Sequence, residues 1–122
     1  MYKRQDPPYE VKTDYRDVLN TLTDALTRFP TGTYAIWYPM LQRNESKQLP
    51  QRLKRLPGSQ WLNVGLTVSE PGPDGFGLHS SAMFILNPPW TLQATLKEVM
   101  PYLVSALGLD DGAGFTLDVG GA

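Results

Sequence analysis

Two strand-like segments stand side by side in this chain with no helix between them, and that adjacency limits the fold more than any other feature. WLNVGLTVS, Trp61 to Ser69, and SAMFILN, Ser81 to Asn87, are rich in β-branched and large apolar residues. EPGPDGFG between them, Glu70 to Gly77, is turn chemistry throughout. The pair therefore reads as an antiparallel hairpin. SAMFILN is nearly unbroken in its apolar character, as expected of a strand covered on both faces.

Around this hairpin the chain alternates. Tyr15, Val18, Leu19, Leu22, Ala25, Leu26 and Phe29 recur at helical spacing, with Asp14, Asp17 and Asp24 turned away. Thr13 or Asp14 can cap that helix, and Pro30 and Gly32 end it. TYAIWYP, Thr33 to Pro39, reads as a strand. Asn44 to Leu56 is helical again, with Leu49, Leu53 and Leu56 on one side and a kink expected at Pro50. Thr91 can cap a third helix carrying Leu92, Leu96, Val99, Met100, Leu103 and Leu107, bent at Pro101 and ended at Gly108. Phe115 to Val119 forms a short last strand. The succession predicts an α/β fold with a mostly parallel sheet and a terminal antiparallel hairpin. Trp37, Trp61 and Trp90 are expected in its core.

The 122 residues allow one domain with one core. The chain has no cysteine, and His79 is its only histidine, so thiolate or histidine-built metal sites and a histidine-dependent triad are poor fits. His79 reads as a surface or turn residue. No apolar run is long enough to span a bilayer, and the start carries no signal-peptide pattern. Arg43, Lys47, Arg52, Lys54 and Arg55 make a basic run that either meets phosphate or forms a solvated helix face.

Two proline pairs remain, Asp6-Pro7-Pro8-Tyr9 and Asn87-Pro88-Pro89-Trp90. Either is a plausible strand-to-helix turn, because proline fixes its own φ and pushes its predecessor into an extended conformation. The first also suits a particular chemistry. An exocyclic adenine nitrogen is a poor nucleophile, since its lone pair is delocalised into the ring. Two acceptors gripping its N–H bonds, a carboxylate and a backbone carbonyl, aim that lone pair at an incoming methyl carbon. Asp6 supplies the carboxylate, the proline pair a stiff carbonyl, and Tyr9 a ring on which a flipped base stacks. A helix, a strand, a helix and a hairpin follow Tyr9, whereas only a helix and one strand follow Trp90. The catalytic slot of this architecture needs the longer succession. Asn87 to Trp90 is therefore read as the structural end of a strand, with Trp90 packed on the next helix.

The stretch DPPYEVKTDY, followed by TGTYAIWYP and SAMFILNPPW, resembles the bacterial 23S rRNA adenine-N6 methyltransferase family RlmJ. The likeness runs from Asp6 to the last helix. It implies the C-terminal half of a class I, Rossmann-like methyltransferase, with S-adenosylmethionine as donor and no metal. It further implies an adenine of 23S rRNA as acceptor, a cytoplasmic setting, and neither a membrane nor an obligate protein partner. Asp6 matches the family's active-site aspartate, which acts as proton acceptor and lies close to the donor. Pro7, Pro8 and Tyr9 match the rest of the substrate-binding loop. Lys12 and Glu10 match too, in supporting or substrate-contact roles. Tyr38 and Pro39 fall at a strand end beside that loop and are candidates for the substrate side. Loops of this kind also serve DNA adenine, rRNA guanine-N2 and glutamine methylation. A non-catalytic module binding through its Pro-aromatic loops is the alternative from another class.

Residues 6–122 are expected to be the C-terminal part of a single methyltransferase domain. The Gly-rich loop and ribose-binding acid of the donor site belong upstream of DPPY and have no match in this chain. MYKRQ, Met1 to Gln5, carries one aromatic and two cations where an apolar strand is expected. It can be back-translated as ATGTATAAGAGACAG, which looks like the end of a transposon adapter, and is read as a non-native leader. The TYAIWYP strand is then expected at an exposed apolar sheet edge.

Overall fold

The computed structural model describes residues 12–40, 44–56, 60–70 and 79–121. Their order is α1 (Lys12–Arg28), β1 (Tyr34–Pro39), α2 (Asn44–Lys54), β2 (Trp61–Thr67), β3 (Ser80–Leu86), α3 (Leu92–Leu107) and β4 (Gly114–Gly120). All seven elements expected from the sequence are present, in the expected order. The ends differ in detail. α1 already contains Thr13 and Asp14, so neither can cap a later start. α2 and α3 run through Pro50 and Pro101 without interruption. Thr91 has helical angles and makes no side-chain cap bond. Gly108 does end α3, in an extended conformation, its N–H donating to the Val104 carbonyl.

The expected parallel core is corrected. The sheet order is β1-β3-β2-β4, and each neighbouring pair is antiparallel. The reason lies in where β3 inserts. β1 and β2 both run opposite to β3, so they point the same way, as two strands joined through a helix should. β3 returns between them and separates the pair that would otherwise have been parallel. The hairpin reading of β2 and β3 holds, with Trp61 opposite Leu86 and Thr67 opposite Ser80. β4 is a full seven-residue strand on the outer side of β2. Among the described residues β1 and β4 are the two sheet edges.

Alternation along β3 splits the interior into two cores. Ala82, Phe84 and Leu86 face α1 and α2, where they meet Tyr15, Val18, Leu22, Ile36, Tyr38, Leu49 and Leu53. Met83 and Ile85 face the other way and join Leu62, Val64, Leu96, Met100, Leu103 and Leu117 beneath α3. Both faces of β3 are thus apolar, which explains its unbroken sequence. Trp61 stacks on Phe84, with ring centroids 5.6 Å apart, at the border of the first core.

The other two tryptophans do not sit as expected. Trp37 is 37% exposed and Trp90 is 93% exposed. Trp90 follows the proline pair on a turn that carries its ring outward instead of onto α3. What holds this turn is Asn87. Its backbone adopts φ 52°, the left-handed region that asparagine tolerates better than most residues. Its Nδ2 donates to the carbonyls of Pro30 (2.9 Å) and Gly32 (2.8 Å), and its own carbonyl accepts from Thr33 Oγ1 at 2.8 Å. Its N–H donates to the Gln60 carbonyl. One residue therefore ties the end of β3 to the turn between α1 and β1. The structural reading of Asn87-Pro88-Pro89-Trp90 stands.

Candidate active site

The geometry of the site begins with the direction of α1. Its last turn sits over the start of β1, because the Tyr34 hydroxyl bonds the carbonyls of Ala25 (3.1 Å) and Phe29 (2.8 Å). A helix of 17 residues, rising about 1.5 Å each, carries its first turn back to the opposite end of the sheet. Lys12 opens α1 there, at the carboxyl end of β1. Asp6, Pro7, Pro8, Tyr9 and Glu10 lie outside the described residues. So does Arg43.

The carboxyl end of β1 is built as a fixed ledge. Met40 N–H donates to the Ser80 carbonyl at 2.9 Å, continuing the ladder past Pro39, which has no N–H. The buried Ser46 hydroxyl, in the first turn of α2, donates to the Pro39 carbonyl at 2.6 Å. Ser80 Oγ and Thr67 Oγ1 bond at 2.7 Å across β3 and β2. His79 precedes β3 and is buried, with its carbonyl accepting from Val68 N–H, so the surface-histidine expectation is corrected. It is enclosed because the β2–β3 ladder continues one pair beyond the strands.

Tyr38 and Pro39 are both buried. The Tyr38 ring lies on the α1–α2 side of the sheet, and its hydroxyl bonds Asn63 Oδ1 at 3.1 Å. Burial pushes its phenol pKa up, and the bond to Asn63 partly opposes that shift. Tyr38 is therefore a support of the ledge, with no face presented to a substrate. Sequence reasoning missed Ser46 and Asn63. Asn63 is legible afterwards as a polar residue on the buried α2-side register of β2, whereas nothing in the sequence marks Ser46.

The basic run separates along α2. Lys54 is engaged elsewhere: its Nζ stands 4.8 Å from the Trp61 ring centroid and 3.6 Å from Asp118. Arg52 reaches toward Gln48 at 3.5 Å, and it and Arg55 sit at the far end of the helix. Lys47 is exposed beside Ser46, at the ledge. Among the described residues no group of three His, Asp or Glu is placed to hold a metal, and no helix is long and apolar enough to cross a membrane.

The architecture is matched by a protein of Legionella pneumophila solved by crystallography. The TM-score is 0.81 at 24% identity, over 94% of this chain and 42% of that one. The class is therefore an α/β sandwich equivalent to part of that larger protein. A family model described as "Ribosomal RNA large subunit methyltransferase D, RlmJ" matches residues 4–118, and the chain belongs to this RlmJ family. The ribosomal RNA large subunit methyltransferase J of Haemophilus influenzae is 41% identical over 109 residues, 89% of this chain and 38% of that protein. Its namesake in Escherichia coli K12 is 39% identical over 102 residues, 84% of this chain and 36% of that protein. The chain thus spans less than two fifths of the length of these relatives.

Proposed function

We propose that the full-length protein carrying this segment transfers a methyl group from S-adenosylmethionine to N6 of an adenine in 23S rRNA. Family membership across residues 4–118, which include Asp6 to Lys12, is the observation that supports this reading. Asp6 and a carbonyl of the Pro7-Pro8 pair accept the two N–H bonds of the adenine amino group. Tyr9 stacks on the base, and Lys12 contacts the substrate. The N6 lone pair forms the new N–C bond as the C–S bond breaks; the sulfur keeps that electron pair, and the N6 proton passes to Asp6. The donor supplies only the methyl group. The ledge residues Ser46, Tyr38 and Asn63 keep the carboxyl end of β1 from moving.

The Gly-rich donor loop has no match in this chain, so donor binding belongs to the full-length protein. The isolated chain should show no micromolar binding of S-adenosylmethionine by calorimetry, and no methyl transfer. The deciding experiment incubates the full-length protein and its Asp6→Ala variant with unmodified 23S rRNA. The rRNA is then digested for nucleoside mass spectrometry. N6-methyladenosine made by the parent, with kcat lowered roughly 10²–10⁴-fold by the substitution and KM little changed, is the expected result. N2-methylguanosine in the rRNA, or activity confined to DNA or a release factor, would move the assignment to another amino-methylating enzyme.

A further inference from the structure

We infer that β4 is a self-pairing edge, through which two copies of the protein join their sheets about a two-fold axis at Leu117. β4 pairs with β2 on one side and with no strand among the described residues on the other. Its seven residues carry no proline and no lysine, and Asp118 is their single charge. The ladder to β2 is unbroken from Gly114 to Gly120, so no bulge twists the strand away. The usual guards of an exposed edge are thus missing along its whole length.

The strand is complementary to its own reverse. In an antiparallel pair centred on Leu117, the two copies overlap from Gly114 to Gly120. Phe115 then faces Val119 of the second copy, and Thr116 faces Asp118. Phe115, Leu117 and Val119 lie on the α3 side, opposite Leu66, Val64 and Leu62. Phe115 is 38% and Val119 44% exposed, so α3 leaves this border of the sheet open. Pairing buries the two against each other. Thr116 and Asp118 alternate with them on the other face, where the Thr116 hydroxyl can donate to the facing carboxylate. Other registers fit less well. An axis at Asp118 sets two carboxylates face to face, and an axis at Thr116 leaves Val119 beyond the end of the second strand.

This self-complementarity is what points to a second copy as the occupant. The opposite edge, β1, is the one tied to α1, through the Tyr34 hydroxyl. A polypeptide preceding α1 therefore joins the fold away from β4. Two short edges make a small interface, of the transient kind, with Kd on the order of 10 μM. The inference concerns assembly and does not depend on which nucleotide is methylated.

The test is sedimentation velocity on a full-length family protein carrying this segment, from about 1 to 100 μM. The parent should pass from monomer to dimer over that range. Phe115→Asp and Val119→Lys should each raise Kd at least tenfold. Mixed in equal amounts, the two variants should associate again, because the carboxylate introduced at 115 then faces the ammonium introduced at 119, while Val119 faces Phe115. A parent that stays monomeric overturns the inference, as does association that neither substitution weakens, or single variants that fail to complement each other. If either variant does not fold, Thr116→Asp on the exposed opposite face decides: it sets like charges across the axis and should also raise Kd tenfold, and an unchanged Kd overturns the inference.

Discussion

The hydroxyl of Tyr38 on β1 reaches over the intervening strand to Asn63 on β2, 3.1 Å away. It can do so because Ala82 is the β3 residue opposite Tyr38 and leaves room beneath the ring. The bond joins two strands that share no ladder. Tyr38→Phe should cost about 1–2 kcal/mol by urea denaturation at neutral pH, because the part-buried Asn63 Oδ1 then loses its partner. The phenol pKa is raised on folding, so the native state holds that proton more tightly than the unfolded chain. This contribution is complete below the unfolded value of about 10, and is lost as pH rises through the folded value. The parent should therefore lose more stability than Tyr38→Phe between about pH 9 and 11.

Asn87 combines a left-handed backbone with two side-chain donors, and two substitutions separate them. Asn87→Gly keeps the backbone accessible and removes the bonds to Pro30 and Gly32. Asn87→Ala removes the bonds and adds the cost of φ 52°. Chemical denaturation should rank them parent, Gly, Ala, with Ala about 1 kcal/mol below Gly. Equal losses would mean that the backbone geometry carries no strain.

Phe84 and Trp90 should respond in opposite ways to truncation. Phe84 is fully buried between Trp61 and the α1–α2 core, so Phe84→Ala should cost about 3–5 kcal/mol. Trp90→Ala should stay within about 0.5 kcal/mol of the parent, since its ring touches almost nothing.

If the proposed activity on rRNA is correct, the basic residues of α2 should separate in a salt-titrated binding series with the full-length protein. Lys47→Glu, at the ledge, should weaken rRNA binding and lower the salt slope by about 1. Lys54→Met should leave the slope unchanged, because its ammonium is already placed over Trp61 and beside Asp118. A loss at Lys54 equal to that at Lys47 would contradict this division.

What the sequence made legible was local. Helical and alternating periods located every element, because each buries one stripe or one face and the residue types record it. The unbroken run of β3 correctly signalled a strand covered on both sides. The neighbour of β1 and the outer neighbour of β2 were not legible, because periodicity describes a strand's faces and says nothing of its edges. Trp90 was misread for a related reason: an apolar side chain shows what burial would gain, not whether anything lies above it. Ser46 escaped notice because a helix-first-turn serine looks the same whether it caps a turn, faces water or grips a strand end. Asp6 to Tyr9 carry the strongest chemical signal in the chain, and they lie outside the described residues.

The position of β3 also sets a timetable for synthesis. Tyr34 pairs with Leu86, and Pro39 with Ser81, so β1 must leave the ribosome and wait for the rest of the α2–β2 unit to be made before its partner exists. α2 and β2 emerge into the same interval with their apolar faces bare. Once β3 is out, β1 and β2 can close around it in a single step, and β4 can join only afterwards. The most hydrophobic of the four described strands is thus also a late one, and pausing or truncation before Leu86 would leave β1 and β2 without the strand that joins them.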